Sequence, residues 1–75
     1  MEYKGSYGKT VKVLVDNDGW GKPVSKGKTY VVTRYMDSDA GTVGIYPLQN
    51  GESVDDILST QPMSNEVYVK DLTEV

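Results

Sequence analysis

The sequence contains no cysteine and no histidine among its 75 residues. The first absence excludes a disulfide framework. The two together exclude a zinc site built from the usual nitrogen and sulfur ligands. They also leave the chain without a thiolate nucleophile and without an imidazole that changes charge near neutral pH. Long apolar runs are missing too. The longest aliphatic run in the first half is Val13-Leu14-Val15, far short of the roughly 20 apolar residues that a membrane-spanning helix needs. The opening segment Met1-Glu2-Tyr3-Lys4-Gly5 lacks the apolar stretch of a signal peptide. These absences predict a reduced, cytoplasmic setting, no membrane partner, no metal and no cofactor, and a protein that is not an enzyme.

What is present is enough for one small globule. Hydrophobic residues make up 37% of the chain, and a domain this small buries only about 60% of the surface its unfolded chain exposes. Little volume remains for a substrate-sized pocket, so the outer surface is the expected means of binding. Net charge is −3, but it is uneven along the chain. Residues 1–35 hold seven basic side chains (Lys4, Lys9, Lys12, Lys22, Lys26, Lys28, Arg34) against three acidic ones. Residues 36–75 hold Lys70 alone against eight acidic ones. This pattern reads either as a mixed soluble surface or as a bipolar one.

Along the chain, residues 1–9 are rich in glycine and tyrosine and read as a flexible arm, leaving residues 10–75 as a single small β-barrel domain. Thr10 to Val15 is a β-branched segment with Val11, Val13 and Val15 on one face. Asp16 to Pro23 is dense turn chemistry, and Ser25-Lys26-Gly27 is a tighter turn. Lys28 to Met36 is the strongest strand, with Tyr30 and Val32 on one face and Val31, Thr33 and Tyr35 on the other. After the acidic hairpin Asp37–Gly41, Thr42 to Tyr46 forms a third strand around Gly44, ended by Pro47. Asn50-Gly51 is a turn signal. Ser53 is placed to cap one or two helical turns, with Asp55 and Asp56 near the positive end of the helix. Glu66 to Lys70 and Thr73 to Val75 complete the strands. The alternation predicts a core of Val11, Val13, Val15, Tyr30, Val32, Val43, Ile45, Val67, Val69 and Leu72. Short strands with turn signals about every 8–12 residues indicate an all-β barrel or sandwich.

The order of parts resembles a small Src-homology-3-like barrel over residues 10–75. The residues that carry the resemblance are TVKVLVD, the irregular loop NDGWGKPV, SKGKTYVV, the hairpin MDSDAG, TVGIYPL and EVYVKDL. The run KGKTYVV, the acidic turn and the closing VYVKDL are similar to many short uncharacterised proteins of bacteriophages and bacteria. The resemblance implies an all-β, five-stranded barrel carrying one inserted loop or short helical turn at residues 51–65. Signalling members that bind proline-rich peptides carry a tyrosine-rich first strand and a tryptophan after the acidic hairpin. Here Thr42-Val43 follows the hairpin and the first strand has no tyrosine, so that recognition mode is not expected.

Motifs of nucleotide and calcium sites fail on spacing. Gly27-Lys28-Thr29 lacks the glycine that a phosphate-binding loop needs at position 22, where Lys22 stands, and a strand follows it. Gly8-Lys9-Thr10 has Tyr3 in the corresponding place. An EF-hand aligned on Gly19 puts Leu14 and Ser25 at ligand positions one and twelve. The remaining candidates are apolar and aromatic. Trp20, between two glycines, reads as a lid over one barrel end or as an anchor for a partner. Tyr35 and Tyr46 fall opposite the inferred core face, and Ile57, Leu58 and Met63 supply apolar surface in the insertion. These six residues are the expected partner-binding set of a non-catalytic protein-binding module, monomeric or weakly homodimeric. The phage-like resemblance implies a factor that docks on and modulates a host or phage enzyme, in the host cytoplasm. The alternative is a nucleic-acid-binding barrel using Lys9, Lys12, Lys22, Lys26, Lys28 and Arg34.

Overall fold

A computed structural model describes residues 7–37 and 41–75 of the chain. Most of the expected arm and the tip of the acidic hairpin lie outside the described residues. Five strands form: β1 (Thr10–Val13), β2 (Tyr30–Asp37), β3 (Thr42–Pro47), β4 (Asn65–Tyr68) and β5 (Leu72–Glu74). One helix, α1 (Val54–Thr60), lies between β3 and β4, and a 3-10 turn, Val69–Asp71, joins β4 to β5. The strands make a single antiparallel sheet in the order β4-β3-β2-β1-β5. The protein is therefore an all-β domain, and this strand order with its 3-10 turn is compatible with a Src-homology-3-like barrel. The sheet is not closed, however. β4 and β5 remain its two edges, so the full closure that would remove free edges is absent.

The inner face follows the period-two pattern. Val11, Val13, Tyr30, Val32, Val43, Ile45 and Val67 are buried in one cluster, with Val15, Val69 and Leu72 packed against it. Val32 faces Ile45 across β2 and β3, and Val43 faces Val67 across β3 and β4. Because one face of one sheet buries residues from four strands, the sheet must coil around its own side chains. Val24, from the loop between β1 and β2, completes the cluster. The Tyr30 hydroxyl stays satisfied by accepting a hydrogen bond from Ser25 N at 3.0 Å.

The outer face of β2 is buried as well, which the alternation did not predict. Val31 and Thr33 are fully buried on the side to which α1 packs. A central strand covered on both faces reads as a near-continuous apolar run, and Tyr30-Val31-Val32-Thr33 is one. Thr33 Oγ1 donates to the Pro62 carbonyl at 2.6 Å. That bond ties the exit of α1 to the sheet. The helix begins as expected, with Ser53 Oγ accepting from Asp56 N at 3.1 Å and acidic residues in its first turn. At seven residues it is too short to be stable alone, and its buried residue Ile57 holds it to the sheet.

The residues just before β1 are bonded to β2. Gly8 N donates to Val32 O at 2.9 Å, and Lys9 O accepts from Val32 N at 3.1 Å. Gly8 has φ +78°, and a side chain there would press on Leu58 at 3.3 Å, so only glycine fits that approach.

Candidate interaction site

The loop between β1 and β2 is a small hairpin in its own right. Asn17 bridges Pro23, Asp18 N donates to Lys22 O at 2.8 Å, and Val24 N donates to Asp16 O at 2.9 Å. Its tip is organised by one carboxylate. Asp18 Oδ1 accepts from the backbone N of Trp20 at 2.8 Å and of Lys22 at 2.9 Å. Asp18 Oδ2 accepts from Asn65 Nδ2 at 3.0 Å, which fastens the loop to the start of β4. Asp18 is only 8% exposed. Burial pushes its carboxyl pKa up, but the bonds from Asn65, Lys22 N and Trp20 N, with the nearby Lys22 ammonium, outweigh this. The net value lies below the ordinary 3.8.

That fastening sets Trp20. Gly19 passes against the Tyr68 ring so closely that a Cβ there would lie 2.6 Å from it. Trp20 then stacks on Tyr68, with centroids 5.6 Å apart and planes at 17°. Lys70 Nζ approaches the same Tyr68 ring at 5.4 Å, a cation–π contact. One face of Trp20 is used in this way, yet the residue remains 53% exposed. Beside it runs a groove of about 250 Å³ whose walls include Trp20, Lys22, Met63 and Glu66. Met63 lies in place because β3 has no side chain beneath it. A Cβ on Gly44 would stand 2.6 Å from Met63 Sδ and 3.3 Å from Arg34 Cβ.

On the other flank of Gly44 is a larger hollow of about 540 Å³, bounded by Tyr7, Arg34, Tyr35 and Gln61. Gln61 caps α1 in the left-handed region, at φ 49° and ψ 50°. Its carbonyl accepts from Arg34 Nε at 2.8 Å, and its side-chain amide donates to the Tyr7 hydroxyl at 2.9 Å. The Tyr7 and Tyr35 rings lie 5.5 Å apart.

The structure thus brings together Trp20 and Met63 in one groove, and Tyr35 and Arg34 in the neighbouring hollow. It separates the others. Ile57 is 4% exposed and presents nothing to a partner, because it is the residue that seats α1. Leu58 is half-buried beside Gly8, and Tyr46 is half-buried opposite Val31. The basic residues are spread over several parts of the fold. Lys9 pairs with Glu74 at 3.5 Å and Lys26 with Asp16 at 3.8 Å. Lys12 sits on β1 opposite Thr73, Lys28 is exposed in the turn before β2, and Lys22 and Arg34 line different hollows. Asp18, Asn65, Tyr7 and Gln61 were not singled out from the sequence. The bonds of Asp18 to Trp20 N and Lys22 N are local turn bonds, but those of Asn65 to Asp18 and of Gln61 to Arg34 and Tyr7 join residues distant in the chain, and no local pattern marks such a pairing. Among the described residues no three carboxylates gather as metal ligands, and no helix is long and apolar enough to cross a membrane. No protein-family model, curated protein or solved structure matches the chain, so the reading of this site rests on its own geometry.

Proposed function

We propose that the chain is a non-catalytic protein-binding module that docks a partner in the groove between the Trp20 loop and the start of β4. The observation that carries this reading is the meeting of Trp20 and Met63. They are two exposed large apolar side chains, 53% and 39% accessible, far apart in sequence and lining one groove. A tryptophan buries roughly 150–250 Å², a large share of the about 800 Å² that one side of a standard interface covers. Aromatic anchors in such settings carry most of the binding energy. The groove rests on a sheet, and its loop is held by the buried Asp18 carboxylate, so little ordering cost falls on binding. The resemblance to small phage and bacterial barrels extends the proposal to a factor that docks on and modulates an enzyme. Nucleic-acid binding is less well supported, since two of the six candidate cations are already paired with carboxylates.

The test is affinity capture from nuclease-treated lysate with the parent chain and with a Trp20→Ala/Met63→Ala double variant. A partner recovered by the parent should be lost from the variant, each substitution weakening binding by about 1–3 kcal/mol. Equal recovery by both would refute the groove as the docking surface. Loss of all bound material on nuclease treatment would favour nucleic acid.

A further inference from the structure

We infer that the hollow of Tyr7, Arg34, Tyr35 and Gln61 is an acid-binding subsite, which receives a carboxylate side chain of an extended partner segment. The inference rests on the protein-binding reading above and names the partner's chemistry. Its first support is how Arg34 is held. The Gln61 carbonyl uses Nε, and among the described residues this leaves the two terminal guanidinium nitrogens as donors in a planar fork. Among the described residues no carboxylate pairs with Arg34. A guanidinium fixed at Nε and open at its end matches a carboxylate in two parallel hydrogen bonds.

Its second support is the strain at Gln61. A non-glycine residue at φ 49° costs free energy, and such residues persist where the surroundings over-determine them. Here one left-handed residue does two jobs. Its backbone orients Arg34 and its side chain holds the Tyr7 hydroxyl. Tyr7 in turn lies against Tyr35, giving the hollow an aromatic wall for the methylene groups of a bound Glu or Asp.

The third support is continuity. Arg34 Cβ and Met63 Sδ approach the same point over Gly44, so the hollow and the Trp20 groove adjoin across β3. One extended segment can place an apolar side chain against Met63 and Trp20 and a carboxylate at Arg34. A polyanion fits less well, since the chain carries a net charge of −3 and nucleic-acid binding calls for clustered cations.

The experiment is an NMR titration of the labelled full chain, observing the Arg34 Nε–H and the Tyr35 ring. The probes are the blocked peptides acetyl-Leu-Gly-Glu-amide and acetyl-Leu-Gly-Gln-amide, with uridine monophosphate as a third. The glutamate peptide should shift both signals saturably and bind about three- to tenfold more tightly than the glutamine peptide. The difference should shrink in high salt. Arg34→Met, which keeps the apolar stem, should abolish it. Gln61→Gly, which tolerates the same backbone, should keep the fold and reduce it. Equal binding of the two peptides, with shifts confined to Trp20 and Met63, would overturn the subsite and leave the protein-binding groove standing. Tighter binding of the nucleotide than of the glutamate peptide at Arg34 would overturn the carboxylate subsite in favour of a phosphate site.

Discussion

Replacing Asp18 by Ala tests whether one carboxylate holds the site together. The substitution removes three hydrogen bonds to a charged acceptor, from Trp20 N, Lys22 N and Asn65 Nδ2. The two backbone donors lie in an exposed loop and are rehydrated when freed, so each contributes about 0.5–1 kcal/mol. The Asn65 bond is buried, and its loss belongs to the costlier class, about 1–2 kcal/mol. Asn65 keeps a weaker contact to the Pro23 carbonyl at 3.3 Å, which tempers that figure. The expected cost is about 2–4 kcal/mol, close to the whole stability of a domain this small, about 3–5 kcal/mol. Urea unfolding read by Trp20 fluorescence measures it, and the midpoint should fall severely. Asp18→Asn, which keeps acceptors for the two loop amides, should cost less.

The same group gives a pH signature. Its folded-state pKa lies below the ordinary 3.8, so the folded chain binds this proton less readily than the unfolded chain. The stabilisation is therefore complete above that ordinary value and is lost as pH falls through the lower folded value. In an acid titration the parent should lose stability in that window. Asp18→Asn should lose less there, since its remaining slope comes only from other carboxylates. If the parent and Asp18→Asn show parallel stability profiles through the window, Asp18 is not the group that fastens the loop, and the account of the groove fails with it.

Other substitutions test the two faces of the sheet separately. Ile45→Ala, at a fully buried position of the inner core, should lower stability by about 2–4 kcal/mol in urea unfolding; an unchanged midpoint would mean that the register of β3 is wrong. Thr33→Val conserves shape but removes the donor to the Pro62 carbonyl. It should cost about 1–2 kcal/mol and speed amide exchange in α1, whereas unchanged exchange would show that this bond does not anchor the helix.

The inner face was legible because its signal is local. Val11 and Val13, Val43 and Ile45, and Val67 each repeat at period two on β-branched scaffolds, and all are buried. The cap of α1 was legible for the same reason, since Ser53 and the aspartates act within one turn. Val24 was not, because it stands alone between Pro23 and Ser25 with no period to reveal it. The burial of Val31 was also missed. Its strand shows apolar residues on both faces, but the cover comes from a helix with a single buried residue, Ile57, too faint an amphipathic pattern to announce a second layer. At the site, Trp20 was visible as an isolated aromatic in a turn. Its meeting with Met63 was not, because it depends on a bond between Asp18 and Asn65, 47 residues apart.

An unclosed sheet also explains why the site lies where it does. β4 is an edge, and an exposed edge invites pairing with other chains unless something lies along it. The Asp18–Trp20 segment touches both ends of this strand through side chains, bonded to Asn65 at the start of β4 and stacked on Tyr68 at its end. The residues that hold the loop to β4 therefore also build the groove, and the two roles separate by residue. Asp18 serves both, so its loss should weaken fold and binding together. Trp20 spends one ring face on Tyr68 and leaves the rest exposed, so its loss should fall mainly on binding. If Trp20→Ala instead destabilised the domain as much as Asp18→Ala, the indole would be a structural lid, and the docking surface would have to be sought in the hollow around Arg34.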